Sequence, residues 1–160
     1  MRVREATSGE WELYRDLRLS ALKDSPDSFR TMYHERVDVP EDEWRDQYER
    51  GVAADEFVTF FAEAEEPVGM TGAMIREGRL DIFGMWVAPE ARGIGFGRAL
   101  LEAAFTWGKI RGAGSARLAV TIGNDIGGRL YANAGFEPTG ETEPLRDGSE
   151  LTCAWLERPL

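Results

Sequence analysis

The stretch that most constrains this chain is VAPEARGIGFGRALLEAAF, from Val87 to Phe105. It joins an apolar run, which stops at Pro89, to a clear helical pattern, and glycines stand at positions 93, 95 and 97 of the connection. Glycine lets a backbone turn tightly and approach another molecule closely. Free N–H groups at a helix start also favour an anion. The pattern therefore predicts a strand, a glycine turn and a helix, with either a phosphate group at the turn or a tight connection that binds nothing.

Two familiar phosphate-binding motifs do not fit this turn. A P-loop requires a Lys-Ser or Lys-Thr pair after its glycines, and none follows here. A dinucleotide fingerprint that begins at Gly93 requires its third glycine at position 98, which is Arg98. What remains is R-G-I-G-F-G between a strand and a helix, with Arg92 and Arg98 available to add positive charge.

Hydrophobic periodicity along the chain predicts one strand, two helices, three strands, a helix, a strand, a helix and two strands. The three consecutive strands are expected at residues 57–64, 67–76 and 80–87, separated by turn signals. This order is typical of a layered α/β domain with a mixed sheet. At 160 residues, the chain is expected to form one domain over residues 1–160.

Composition excludes several classes of function. The formal net charge of −10 argues against nucleic-acid binding and against an anionic membrane surface. No apolar run approaches the roughly 20 residues of a membrane span, and the charged N-terminus does not resemble a signal peptide. The lone Cys153 agrees with a reducing compartment, so a cytoplasmic location is expected. One histidine and one cysteine are poor material for a metal site, and none is expected.

Charge is uneven within this acidic chain. Residues 91–132 carry six arginines and lysines but only two acidic residues, Glu102 and Asp125. A locally positive segment around the glycine turn favours an anionic ligand there.

The motif residues Arg92, Gly95 and Gly97 resemble the Arg/Gln-x-x-Gly-x-Gly/Ala motif of the GNAT superfamily of acetyl-CoA-dependent N-acetyltransferases. The surrounding stretches MWVAPEARGIGFGRALLEAA and LAVTIGNDIGGRLYANAGFEPTG resemble many bacterial members, so the specific motifs cover residues 81–140. The resemblance implies a mixed, mostly antiparallel sheet of six to seven strands, flanked by about four helices. It also implies acetyl-CoA as co-substrate and homodimers as a common arrangement.

The resemblance implies donor-binding roles for two segments and two single residues. In that family, backbone amides of the glycine turn bind the pyrophosphate of coenzyme A, and the pantetheine arm pairs with the strand before it. Asn124 matches an asparagine that bonds this arm, although it would also suit a helix N-cap. Tyr131 matches a tyrosine near the sulfur, where a phenol can protonate the leaving thiolate, although it could also be a packing residue. The two segments are Met85, Trp86 and Val87, and Arg92, Gly93, Ile94, Gly95, Phe96, Gly97 and Arg98.

The acceptor side has weaker signals. Strand alternation predicts Asp81, Phe83, Met85 and Val87 on one face, and some members of the family carry an acid at the position of Asp81. Asp81 is therefore the first candidate for a catalytic base or for the anchor of a water relay, with a solvent-exposed edge aspartate as the alternative. The segment around Phe29 and Tyr33 often lines the acceptor pocket in that family, although it could equally be a capping turn.

These features predict an enzyme that transfers acetyl directly from acetyl-CoA to a primary amine of a small molecule or peptide, through a ternary complex. No residue offers itself as a catalytic nucleophile. Two alternatives stay open: a non-catalytic module that binds acyl-CoA, and an acetyltransferase acting on protein N-termini or lysines.

Overall fold

The computed structural model describes residues 1–160 and contains seven strands and four helices. In chain order they are β1 (Arg2–Glu5), α1 (Trp11–Asp24), α2 (Glu41–Ala53), β2 (Phe57–Glu63), β3 (Pro67–Arg76), β4 (Arg79–Val87), α3 (Phe96–Ile110), β5 (Ser115–Thr121), α4 (Asp125–Asn133), β6 (Glu137–Pro144) and β7 (Thr152–Pro159). Short 3-10 turns lie at Pro26–Ser28, Tyr33–Glu35 and Pro89–Ala91. None of the helices is both long and apolar enough to cross a membrane.

All seven strands form one sheet in the order β1-β2-β3-β4-β5-β7-β6. Only β4 and β5 run parallel, because α3 carries the chain back across the sheet between them. Every other neighbouring pair is antiparallel. The prediction of a mixed, mostly antiparallel sheet with about four helices is confirmed.

Helices cover both faces of the sheet. Gly108 of α3 lies against Leu80, since a Cβ at Gly108 would stand 3.0 Å from a Leu80 methyl. Gly97 at the start of α3 packs equally closely on Leu130 of α4, so α3 and α4 share this face. On the other face, the last residue of α1, Asp24, accepts a hydrogen bond from the Trp86 indole at 3.0 Å. Helix α2 packs on α1 through Tyr14, which contacts the rings of two α2 residues, Trp44 and Tyr48.

A β-bulge interrupts β4 and corrects the predicted alternation. Phe83 pairs with Gly72 and Trp86 pairs with Met70, so β4 has one residue more than β3 between these pairs. The extra residue is accommodated at Gly84, whose φ of +62° is a left-handed conformation that favours glycine. Beyond the bulge, Trp86 rather than Val87 shares a face with Phe83. The prediction that positions 81, 83, 85 and 87 line one face is therefore wrong.

Strands β4 and β5 separate after a short parallel contact. They pair only at Arg79–Ser115, Leu80–Ala116 and Asp81–Arg117. Beyond these pairs, the facing edges of β4 and β5 have no strand partner, and the bulge bends β4 away. The separation opens a cleft in the middle of the sheet, at the C-terminal ends of both strands.

Candidate active site

The cleft between β4 and β5 has a volume of about 500 Å³. Its floor and walls come from the separated strands, the glycine turn, α4 and the turn after α1. Among the lining residues are most of those predicted to bind the donor: Met85, Trp86, Val87, Arg92, Gly93, Gly95, Gly97, Arg98, Asn124 and Tyr131. These residues span nearly fifty positions of sequence, and the fold brings them to one depression.

The glycine turn presents a row of free backbone donors to this cleft. The six consecutive N–H groups from Gly93 to Arg98 donate no hydrogen bond within the protein. They lie at the N-terminus of α3, where the helix dipole adds partial positive charge. Ile94 is exposed, whereas the Phe96 ring is buried in the core, so these two residues offer their backbone rather than their side chains. The arrangement suits an anion such as a phosphate.

The guanidinium of Arg92 is engaged away from these amides. Its Nε donates to the Val87 carbonyl at 2.9 Å, and its Nη2 donates to Asp24 Oδ2 at 2.5 Å. Hydrogen bonds from Ser25, from Trp86 and from Arg92 lower the pKa of Asp24 to about 2. Arg92 thereby ties the end of α1 to the end of β4. Arg98 pairs with Glu102 one helical turn later, at 2.8 Å on the surface.

The backbone of Val87 faces the cleft. Ala88 N–H donates to the Val68 carbonyl at 2.7 Å, so residue 88 forms the hydrogen-bonded pair with β3. Because such pairs alternate along an antiparallel ladder, the N–H and carbonyl of Val87 point the other way, toward β5. The Arg92 contact on the Val87 carbonyl agrees with this direction. Val87 therefore offers an N–H donor inside the cleft.

Asn124 is both a helix cap and a lining residue of the cleft. Its Oδ1 accepts a hydrogen bond from Gly127 N–H at 3.0 Å, which satisfies a donor in the first turn of α4. Its Nδ2 makes no hydrogen bond to a protein group, so this amide remains available. The two interpretations of Asn124 are compatible, because each uses a different atom of the side chain.

Tyr131 lies on α4 at the inner end of the cleft and is 8% exposed. Its ring packs edge-on against Phe136, with 6.1 Å between centroids. Burial raises the pKa of the Tyr131 phenol to about 12, so the phenol is protonated throughout the physiological range. Its hydroxyl has no hydrogen-bond partner in the protein. The hydroxyl oxygen is not fully enclosed by protein atoms, so it is available to a ligand.

Asp81 is not among the residues that line the cleft. It lies where β4 and β5 are still paired, and its carboxylate accepts two hydrogen bonds from Arg79, at 2.7 and 3.3 Å. Arg76 approaches the same carboxylate at 3.9 Å. The structure therefore does not bring this predicted base to the cleft.

Of the two aromatic residues predicted on the acceptor side, the fold brings one to the cleft. Phe29 is buried and lines the cleft beside Ser25 and Ser28. Tyr33 lies in the second 3-10 turn, half-buried against the core, and does not line the cleft. The residues between the two 3-10 turns, which include a bend at positions 30 and 31, carry Tyr33 away.

Sequence reasoning did not identify the partners of Asp24 or the setting of Arg18. Asp24 meets Trp86 and Arg92 at separations of 62 and 68 residues, and no local pattern signals such contacts. Arg18 lies on α1, where its guanidinium covers the Phe29 ring at 4.9 Å. The only signal in the sequence was that Arg18 and Asp24 lie on α1, the helix that precedes the segment with Phe29 and Tyr33.

The model of the Acetyltransferase (GNAT) family matches residues 16–136. The chain belongs to this family. The matched segment contains every residue that lines the cleft, from Ser25 to Tyr131. As a GNAT protein the chain is an acyltransferase, and the expectation drawn from the glycine motif is confirmed at this level. No significant match was found among curated proteins.

Solved structures show the same GNAT fold. A ribosomal-protein-alanine N-acetyltransferase from Brucella melitensis aligns over 100% of both chains, with a TM-score of 0.80 and 22% identity. Spermidine N-acetyltransferase from Vibrio cholerae, solved with CoA and spermine, aligns over 99% of this chain and 94% of its own. The TM-score is 0.80 and the sequence identity is 17%. A GNAT phosphinothricin acetyltransferase from Sinorhizobium meliloti, solved with acetyl-CoA, aligns over 99% of this chain and 88% of its own. The TM-score is 0.79 and the sequence identity is 18%.

Proposed function

We propose that this GNAT protein transfers an acetyl group directly from acetyl-CoA to a primary amine of a small molecule or peptide, within a ternary complex. The observation that carries the proposal is the row of six free N–H groups from Gly93 to Arg98, at the mouth of a cleft that is also lined by Tyr131. A pyrophosphate needs such a row of donors, and a thiolate leaving group needs a proton donor.

The residues of the cleft suit a long, mostly uncharged arm that ends in a pyrophosphate. The turn amides hold the pyrophosphate, and the free edge of β4 from Met85 to Val87 pairs with the arm as another strand would. Asn124 Nδ2 supplies one further donor from the opposite wall. Acetyl-CoA has this shape, and relatives of the same fold were solved with acetyl-CoA or CoA bound.

Two groups of the chain act on the thioester. The amine nitrogen attacks the carbonyl carbon, a C–N bond forms, and negative charge develops on the carbonyl oxygen. Val87 N–H, turned toward the cleft, stabilises this oxyanion. As the C–S bond breaks, the Tyr131 phenol donates its proton to the departing sulfur. A phenol with a pKa raised by burial to about 12 stays protonated until this step and regains its proton from water.

The proton released by the amine leaves through water. No Asp, Glu or His lies among the residues that line the cleft, so no side chain there is placed to accept it directly. Cys153 is buried on β7 and does not line the cleft either, which argues against an acetyl-cysteine intermediate. Direct transfer therefore fits the side chains better than a covalent intermediate does.

The proposal is tested by measuring thiol release from acetyl-CoA with a panel of amines: a polyamine, an aminoglycoside, amino acids and a peptide with a free N-terminus. We expect turnover with at least one class, and double-reciprocal plots that intersect, as a ternary complex requires. Parallel plots would contradict direct transfer. Tight CoA binding without turnover on any amine would instead identify a non-catalytic binding module, and preference for the peptide would identify a protein acetyltransferase.

Asp81→Asn should leave catalysis nearly unchanged. Because Arg79 holds this carboxylate outside the cleft, we expect kcat/KM to stay within about threefold of the wild-type value. The check is the pH profile of kcat/KM from about pH 6 to 9, a range that lies between the ordinary pKa values of a carboxylic acid and of an alkylamine. A rate loss that grows toward low pH would restore Asp81 as the base.

A further inference from the structure

One arginine, Arg18, packs against residues of the cleft without itself lining it, and it has no polar partner. Four arginines in the chain form neither an ion pair nor a hydrogen bond with a protein group: Arg2, Arg18, Arg45 and Arg50. Three of these are exposed and are satisfied by water, whereas Arg18 is half-buried. In a chain with ten more acidic than basic residues, a desolvated arginine without a carboxylate is unexpected.

The surroundings of Arg18 make its charge costly. Burial lowers the pKa of Arg18; the Tyr14 hydroxyl offsets part of this effect, and the positive charge of Arg36 lowers the pKa further. The one favourable contact is with the Phe29 ring, at 4.9 Å. A guanidinium has five N–H donors, and a ring face satisfies none of them along a hydrogen-bond direction.

Arg18 lies against the two cleft residues that mark the acceptor side. One is Phe29. The other is Gly84, where a Cβ would stand 3.8 Å from Arg18 Nη1, so any side chain at this bulge would begin in contact with the guanidinium. The bulge directly precedes the edge from Met85 to Val87, along which the proposed donor arm and its thioester lie. Arg18 is thus near the point that an attacking amine must reach.

We propose that Arg18 binds a carboxylate of the acceptor, so that the acceptor is an amino acid or a close analogue bearing both an amine and a carboxylate. This inference rests on the proposed function and adds the substrate class. A carboxylate matches the planar fork of a guanidinium with two parallel hydrogen bonds. It also supplies the negative charge that no protein side chain supplies at this position. Asp24, the carboxylate at the end of the same helix, is engaged by Trp86 and Arg92.

The pyrophosphate of the donor is not the expected partner of Arg18. The glycine turn precedes α3, which covers the face of the sheet that carries Leu80. Arg18 lies on α1, which covers the opposite face, the one that carries Trp86. Removal of Arg18 should therefore weaken binding of the acceptor and leave the affinity for CoA unchanged.

The test compares matched pairs of ligands on the full chain. Glycine, alanine, methionine and phenylalanine are each titrated calorimetrically beside their primary carboxamides, with CoA saturating. We expect at least one acid to bind tenfold or more tightly than its carboxamide, because only the acid has the anionic group. Equal affinities within every pair, or no binding of any acid, would overturn the inference. The comparison uses wild-type protein, so it does not depend on the folding of a variant.

Arg18→Met then assigns the preference to this side chain. We expect it to weaken binding of the preferred acid at least tenfold, to abolish the preference over the carboxamide, and to leave CoA binding unchanged. Arg45→Met, which removes an exposed and unpaired arginine, is the matched control for charge and should retain the preference. A preference that survives Arg18→Met, or weaker CoA binding in that variant, would contradict the assignment. Calorimetry needs no turnover, so a failure of the proposed function remains distinguishable.

Discussion

Gly95→Asp is expected to raise the KM for acetyl-CoA by about a hundredfold or more, which is about 2.7 kcal/mol of binding. The aspartate places a carboxylate among the N–H groups that we propose bind the pyrophosphate, so the side chain would compete for the donors and repel the phosphates. Gly95 also has φ of +103°, a conformation that an L-residue adopts with strain, so the turn itself is disturbed. We expect kcat at saturating acetyl-CoA to change much less, because Tyr131 and Val87 keep their places.

Gly112→Asp is the matched control for this variant. Gly112 follows the other end of α3 and has φ of +81° with open space around its Cβ position, so the substitution introduces the same charge and similar strain. It lies outside the cleft and should leave the KM for acetyl-CoA unchanged. The two variants are compared by thiol-release kinetics and by calorimetric titration with CoA. An unchanged KM in Gly95→Asp would remove the glycine turn from the donor site.

Tyr131→Phe is expected to lower kcat by about 10²- to 10³-fold, the usual contribution of a positioned proton donor. The KM values for acetyl-CoA and for the amine should stay close to wild type, because the ring still fills its place against Phe136. The phenol acts in its protonated form, which is present below its pKa and lost above it. Since burial raises that pKa to about 12, ionisation of Tyr131 should cause no change in kcat with pH near neutrality.

Tyr48→Phe controls for the loss of a buried phenol. Tyr48 lies on α2, donates a hydrogen bond to the Thr7 carbonyl at 2.7 Å, and has a pKa raised by burial. Its removal should cost about 1 kcal/mol of stability and leave kcat unchanged, because Tyr48 is remote from the cleft lining. Single-turnover measurements separate the chemical step from product release in both variants. A full chemical rate in Tyr131→Phe would exclude the phenol as the acid.

Local pattern was sufficient for the order of elements and for the donor side of the site. The apolar positions 101, 104, 105 and 108 recur at helical spacing and are buried in α3 as that spacing requires. Asn124 precedes α4 and caps it, as its residue type favours. The glycine turn could be recognised because the role proposed for it depends on backbone groups that are consecutive in sequence.

The acceptor side could not be predicted in the same way. A bulge changes which face a side chain lies on, and Gly84 looks like any other glycine within a strand-like run. Alternation therefore misplaced the residues on either side of it. Asp81 lies two positions after Arg79, on the same face, and this short-range pairing was a signal that could have been recognised.

The sequence by itself determined the family, the seven-stranded layered fold and the turn that offers its amides to an anion, because each depends on near neighbours in the chain. Only the tertiary structure decided that Trp86 and Arg92 donate hydrogen bonds to Asp24. It also decided that Asp81 stays outside the cleft and that Arg18 lies without a polar partner beside Gly84. The physical reason is that charge pairing and desolvation depend on which distant side chains meet. The separation of β4 from β5 determines which of these side chains come into contact, and hydrophobic periodicity in the sequence does not reveal that separation.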